Sequence, residues 1–497
     1  MNETPADPIA RAGDRAAKNT VVRAAAEILG RLATLILFAA LGRAVGQSGV
    51  GAYVAALAFV QIATMPVYFG FDRYLLRRVA RDRSSLEGLF FNVLALKLLL
   101  AVPVVAIGFA LLNIIGYDTT VRTAAYVLTA GLLLDSLART LDSVYTAHER
   151  AGILSTVQVF NRALTAALGV TALVLGLGVV GVAVTFTLGS AAALVLTLTL
   201  LRHRIGMPPL RISRRAWAPL VAASFPFAVQ EILTVLIERI DAVMLSLLSG
   251  QAEVGLYGAA YRLFEASFFV SWSVTGAFSA MFTYLSRESV PSVQAVFQRA
   301  VKLLVVLLTP FAVVIGVLAE PIARLVFGPQ FGPAAEPLRL LAPAIVLVGV
   351  VTLSTTLVLS RRGPGRMVRV TALMVVINVG LNLVLIPRFA GEGAAAAMLA
   401  TEGAFVAVTL LMAARAVGGL KWRQMLAGPL LAGLAMAVPL WVLGSLPGLA
   451  AVAGVATYLV AFVTLERAWH PGDLIYVINV IDRGVPAFLR PLLRRLA

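Results

Sequence analysis

The sequence predicts an all-α, polytopic membrane protein of about 14 transmembrane helices, arranged as two parallel six-helix repeats around a central cavity. Three observations carry this prediction. The chain is 60% hydrophobic and only 13% charged, with a mean hydropathy of +0.93, far too apolar for the surface of a soluble protein. The apolar residues gather in runs of about 20 or more, the length that crosses roughly 30 Å of hydrocarbon. A short motif recurs 204 residues apart: Gly46-Gln47-Ser48-Gly49-Val50-Gly51-Ala52-Tyr53-Val54-Ala55-Ala56 matches Gly250-Gln251-Ala252-Glu253-Val254-Gly255-Leu256-Tyr257-Gly258-Ala259-Ala260 at seven of eleven positions. The same offset lays Glu27 on Glu231.

Spans are expected at roughly 21–46, 48–71, 89–115, 123–147, 153–176, 178–201, 217–247, 253–285, 298–319, 337–360, 367–387, 391–414, 425–443 and 447–466. Helices alone suit such lengths, because a backbone in lipid must satisfy its polar groups within its own segment. The polar start, with Glu3, Asp7 and Asp14 among Arg11, Arg15 and Lys18, is no signal peptide, so the first apolar run is read as an uncleaved span.

Basic residues set the orientation. Alternate connections, with the N-terminus and the tail, hold 29 Lys and Arg, including Arg73, Arg77, Arg78, Arg81 and Arg83. The opposite side holds only Arg43, Arg122, Arg324 and Arg388. Such a split predicts both termini on the cytoplasmic side. It also explains a net charge of +17 as topology and contact with anionic lipid rather than a nucleic-acid surface.

The predicted organisation is a polar cytoplasmic N-terminus (1–20), an N-lobe of six spans (21–201), a basic connection (202–216) and a C-lobe of six spans (217–416). Two appended helices (425–466) and an amphipathic cytoplasmic tail (467–497) follow. An even number of spans per half makes the repeats parallel, as in carriers built around a central site. No connection is long enough for a catalytic domain, there is no GxxxxGK[ST] phosphate loop, and His148, His203 and His470 lack metal-ligand spacing. The chain contains no cysteine. These features argue against an enzyme.

Eight bases lie within spans: Arg31, Lys97, Arg139, Arg162, Arg239, Arg262, Lys302 and Arg339. Eight acids accompany them: Glu27, Asp135, Asp142, Glu231, Glu238, Asp241, Glu265 and Glu402. Sixteen charges facing lipid would cost roughly 40 kcal/mol on the mildest insertion scale, so most must pair or face a wet interior. Glu27 with Arg31, Asp135-Arg139-Asp142 and Arg262 with Glu265 have the spacing of one helix face. Lys97, Lys302 and Arg339, near span ends, are expected to snorkel. Arg31, Arg239 and Arg262, with Arg139 and Arg162, are the candidate cavity bases. A guanidinium fork suits phosphate oxygens and stays charged. Glu27, Glu231 and Asp241 are candidates for a cation-responsive switch.

The chain resembles the polysaccharide-biosynthesis or O-antigen flippases of the multidrug/oligosaccharidyl-lipid/polysaccharide exporter superfamily. In the first half the resemblance rests on Leu41-Gly42-Arg43-Ala44-Val45-Gly46 and Val50-Gly51-Ala52-Tyr53. In the second it rests on Phe225-Pro226, Glu238-Arg239-Ile240-Asp241, Val254-Gly255-Leu256-Tyr257, Ala259-Ala260-Tyr261-Arg262 and Val326-Phe327-Gly328. Leu340-Leu341-Ala342-Pro343, Ile377-Asn378-Val379-Gly380-Leu381-Asn382-Leu383 and Ile386-Pro387-Arg388-Phe389 complete the ordered set, with Gly391-Glu392-Gly393-Ala394-Ala395 and Glu402. It implies a V-shaped pair of bundles in the inner membrane. They would move undecaprenyl-diphosphate-linked oligosaccharide for lipopolysaccharide or exopolysaccharide assembly by alternating access. H+ or Na+ would be the candidate coupling ion, with no other cofactor. It places Arg239, Asp241 and Arg262 near the cavity, with Arg31 matching only in part. Implied partners are the lipid-diphosphate-linked glycan, membrane lipids, and a polysaccharide polymerase and glycosyltransferases. Two alternatives share the fold: a lipid-linked peptidoglycan precursor flippase and a cation-coupled multidrug exporter. The second fits less well, because cationic drugs favour a net acidic cleft.

Overall fold

The computed structural model describes residues 8–148, 151–285, 290–362 and 365–469, with side chains described from Ile28 onward except for a few beside the gaps. The predicted tail beyond Trp469 and the Glu27 side chain lie outside the described residues. Among the described residues the chain forms 15 α-helices and one short 3₁₀ turn, with no strand. Eleven helices are long and apolar enough to cross a membrane.

The first of these, α1 (Pro8–Tyr68), carries two predicted spans broken at a single residue, Gly46, with φ 70° and ψ −172°. A side chain would strain that backbone, which glycine adopts freely. The α13 helix (Gly365–Val417) is divided in the same way at Ala390, where φ is 46°. Gly393 then lies against the Leu385 carbonyl, where a Cβ would overlap. The eighth predicted span is split near Ala266 and Ser267 into α8 (Gln251–Glu265) and α9 (Phe268–Leu285). With α1 and α13 each counted as two and α8–α9 as one, the fourteen expected spans are present.

Two short helices were read from the sequence as connections. α2 (Phe71–Arg81) follows α1, and α11 (Ala319–Phe327) follows α10 (Val290–Val317). α2 is amphipathic: Phe71, Leu75 and Val79, spaced by four, are buried, while Arg73, Arg77, Arg78 and Arg81 are exposed. Gly70, at φ 64°, starts it and lies so close to α7 (Arg214–Leu248) that a Cβ would meet the Ala228 nitrogen at 2.5 Å.

The chain divides into two compact units, Met1–Gly258 and Ala259–Ala497. The first contains α1, α2, α3 (Ser85–Ile115), α4 (Thr119–Ala147), α5 (Ala151–Val174), α6 (Gly178–Arg204), α7 and the start of α8. The sequence assigns α7 to the C-lobe by its place after the basic connection, yet it packs here, on α1 and α2. The repeat explains why. A Cβ on Gly51 would overlap the Gln251 carbonyl, and one on Gly255 would overlap the Gln47 carbonyl. Gly258 makes the same close approach to Val54. Each residue meets its own counterpart at the 204-residue offset or that counterpart's neighbour, so the duplicated motifs cross backbone to backbone. Asp118 accepts a hydrogen bond from Gln251, and Tyr117 pairs with Ser246 at 2.6 Å beside them.

In the second unit α10 packs on α12 (Ala335–Arg362) and on the appended α14 (Trp422–Val442), while α15 (Pro447–Trp469) packs on α14. Tyr458 donates to the Val306 carbonyl at 2.9 Å.

The snorkelling expectation fails for two lysines. Lys97 is fully buried and donates to Asp72 at 2.8 Å and to the Ser136 carbonyl at 2.7 Å. Lys302 is equally buried and pairs with Glu466 of α15 at 2.6 Å. A carboxylate within reach in the same unit makes the inward rotamer better than a route to the interface. Arg339 is half-exposed beside Glu336, as its place near a span end predicts.

Two outcomes follow. Gly51→Val should separate the crossing of α1 and α8, lowering the apparent melting temperature in detergent, whereas Gly88→Val, at a glycine with open space around it, should not. Glu466→Ala should cost about 3–5 kcal/mol by stranding the Lys302 ammonium, and Lys302→Met with Glu466→Leu should recover most of that loss in the same melts.

Candidate functional site

The charged stripe on α4 faces a cavity rather than lipid. Asp135, Arg139 and Asp142 lie one turn apart and line a space of about 450 Å³ within the first unit. α2 contributes Asp72 and Arg73, α5 contributes Gln158, Asn161 and Arg162, α6 contributes Thr197, and α7 contributes Glu231. Three guanidinium groups and four carboxylates thus share one wet chamber among spans.

Its charges are held by a polar network. Arg139 Nε donates to Asp135 at 2.9 Å and stacks its guanidinium over the Tyr68 ring at 5.2 Å. The Tyr68 hydroxyl donates to the Leu132 carbonyl at 3.1 Å and to Asp135 at 3.3 Å. Asp72 receives both the Lys97 ammonium and the Thr140 hydroxyl, the latter at 2.9 Å. Two of the four carboxylates are therefore answered by bases. Asp142 and Glu231 form no ion pair within 4 Å among the described residues and face the cavity with Arg73. The Arg162 side chain lies over Gly30 of α1, where a Cβ would sit 2.6 Å from its Cδ. That glycine leaves the room through which Arg162 reaches the chamber wall.

The structure therefore brings Arg139, Arg162 and Glu231 of the sequence-predicted set into one cavity. Among the described residues, Arg31, Arg239, Asp241 and Arg262 do not line it. Arg31 and Arg239 are half-buried on α1 and α7, away from the chamber lining. Asp241 is buried on α7, accepting from the Tyr257 hydroxyl and the Ala242 amide. At the 204-residue offset Asp241 corresponds to Leu37, and Tyr257 to Tyr53, which packs edge-on against Phe38. Arg262 belongs to the second unit and pairs with Glu265 at 2.7 Å. That unit has a polar cluster of its own, in which Asn382 donates to Asn378 and Asn378 to Thr401, with Glu402 buried nearby in sequence. The Asn382 amide oxygen, in that cluster, accepts no hydrogen bond.

Sequence reasoning missed Asp72, Arg73, Gln158 and Asn161 as lining residues. The signal for the first two was the four-residue spacing of Phe71, Leu75 and Val79, which defines a helix whose polar face carries them. Gln158 and Asn161 carry no charge and gave none.

A chain of fourteen spans with a duplicated crossing and a charged chamber among its helices is a membrane transport protein. It belongs to the polysaccharide biosynthesis protein family, whose model matches residues 16–287, more than half of the chain; a MatE model matches residues 226–385. Among curated proteins it is similar to the probable low-salt glycan biosynthesis flippase Agl15 of Haloferax volcanii, 23% identical over 377 residues, covering 75% of this chain and 77% of the relative. Its fold is similar to that of the lipid II flippase MurJ in an inward closed conformation, with a TM-score of 0.76, 12% identity, and coverage of 90% of this chain and 99% of that one. A structure described as a MOP superfamily transporter from Pyrococcus furiosus gives a TM-score of 0.62 at 16% identity, covering 81% of this chain and 96% of that one.

Placement of Arg162 over Gly30 has a direct consequence. Gly30→Val should push the Arg162 side chain off the chamber wall without unfolding the protein. Transport should fall to the level of Arg162→Ala, and the double variant should lose no more than either single one, the non-additivity expected of neighbours.

Proposed function

We propose that this protein is a flippase. It would carry an undecaprenyl-diphosphate-linked oligosaccharide across the inner membrane for polysaccharide biosynthesis, with both termini cytoplasmic. The observation that carries the reading is the chamber itself: Arg73, Arg139 and Arg162 around about 450 Å³ within the spans of a chain of this family. Arginine binds phosphate oxygens by paired, charge-assisted hydrogen bonds. The glycan-flippase relative supports a lipid-linked glycan as cargo.

In this mechanism the diphosphate enters the chamber and meets Arg139 and Arg162, while the polyprenyl tail stays in lipid. Arg31, Arg239 and Arg262 act on the same cargo along its path. Protonation or cation binding at Glu231, Asp142 or Asp241 changes the charge the cargo meets. A cation that favours one conformation then drives alternating access, since only differential affinity shifts a conformational equilibrium. The chain translocates and does not catalyse a covalent step.

The test is export of surface glycan by cells expressing Arg139→Ala, Arg162→Ala, Arg239→Ala or Arg262→Ala at normal protein levels. Export should fall by about tenfold or more for the two chamber arginines, corresponding to a lost charged hydrogen bond of roughly 1.5–3 kcal/mol. Normal export by all four would sink the reading. A second reading, transport of a lipid-linked peptidoglycan precursor, is favoured by the match to nearly the whole of the lipid II flippase fold. Rescue of cells depleted of their own such flippase would select it.

A further inference from the structure

α2 carries a second set of arginines that the chamber does not use. Arg77, Arg78 and Arg81, with Tyr74, face a separate pocket of about 200 Å³ whose far wall is Ala223 and Phe227 of α7. We propose that this pocket is a binding site for a lipid-borne phosphate group at the arginine-rich face of the membrane.

Four features support it. First, the pocket is built: Gly70 brings the start of α2 against Phe227 and Ala228, and the Asp72 pair with Lys97 ties α2 down from its other side. The helix that carries the three arginines is therefore fixed in place relative to α7. Second, their charge is available. None of the three forms an ion pair among the described residues. The nearest acid in sequence, Asp82, accepts both the Ser84 hydroxyl at 2.7 Å and the Ser84 amide at 3.1 Å. These hydrogen bonds hold its carboxyl below the usual range, with a smaller contribution from Arg78. Glu87, further on, is engaged by Arg211 at 3.3 Å.

Third, the position suits a headgroup. α2 joins the end of the second span to the start of the third, is too short and too charged to cross, and packs its apolar face on the protein while its arginines stay exposed. Fourth, the pocket is amphipathic. Phe227 closes its wall, and Phe225 nearby is exposed and packs on Phe69 at 6.4 Å, offering apolar surface to an acyl or prenyl chain. Three guanidinium groups and a phenol hydroxyl supply donors for one phosphate.

An anionic phospholipid and the diphosphate of a polyprenyl carrier present the same group, and one experiment separates them. Full-length protein in nanodiscs of neutral lipid is titrated with phosphatidylglycerol or undecaprenyl diphosphate, and retained lipid is counted by native mass spectrometry. Arg77→Gln/Arg78→Gln/Arg81→Gln should cut retention by roughly tenfold or more, since each arginine near a lipid phosphate contributes a several-fold preference. Arg202→Gln/Arg366→Gln/Arg369→Gln removes the same charge elsewhere and should retain lipid like the parent. Loss for both lipids makes the site a general phospholipid one; loss for undecaprenyl diphosphate alone makes it a carrier site. Equal retention by the two triple variants overturns the proposal, as does displacement of both lipids by millimolar inorganic phosphate. The readout is binding, so its failure stands apart from failure of the export test above.

Discussion

The buried ammonium of Lys97 decides how the first unit is built. All three of its donors are used, on both Asp72 oxygens and on the Ser136 carbonyl. An isolated charge at that depth would be prohibitive, and a pair with full hydrogen bonding is tolerated. The pair adds little against an apolar alternative, but it specifies one position for α2, between α3, α4 and α7. From that follow Arg73 in the chamber wall and the other arginines outside it. The second unit uses the same device: Lys302, in the third span of the second half, takes its carboxylate from the appended α15. Gly428 beneath Glu466 leaves no room for a Cβ, so the last two helices are keyed to α10 by charge and shape together.

The crossing at Gly51 and Gly255 is of a different kind. It is made of backbone in close contact, with no side chain between, and the flanking Gln251–Asp118 bond is exposed. Between helices in lipid there is no hydrophobic drive, so close glycine packing supplies the attraction by dispersion and separates without stranding a charge. The lysine pair cannot come apart so cheaply. The first unit therefore combines a charge-paired core with a crossing that rests on close backbone packing alone.

Much of this was legible in the sequence because lipid imposes simple rules. Long apolar runs, the 29 to 4 distribution of bases and the duplicated motif lead to fourteen helices without reference to tertiary contacts. The stripe on α4 was visible from its spacing. Position along a span, however, does not reveal which way a side chain turns. Lys97 and Lys302 look like snorkelling residues until Asp72 and Glu466, 25 and 164 residues away, are seen beside them. The same limit applies to Asp241, whose partner Tyr257 lies across the turn between α7 and α8. α2 was overlooked because its four arginines, in a connection between spans, read as topology, although its apolar spacing already described a helix.

Charge in the chamber is the remaining link between structure and transport. With Asp72 answered by Lys97 and Asp135 by Arg139, the field that the proposed diphosphate would meet is set by Arg73 and Arg162 against Asp142 and Glu231. Neutralising either acid by a proton or a cation would strengthen the pull on an anion and releasing it would weaken that pull, so under the proposed function ion and cargo affinities would be reciprocally linked. α2 connects this chamber to the membrane surface. Arg73 and Arg77 are one turn apart, about 6 Å along the helix axis, one lining the chamber and the other the outer pocket. If the proposed surface site holds a phosphate, that phosphate is a single helical turn from Arg73, and a step between them would exchange guanidinium for guanidinium rather than for bare hydrocarbon.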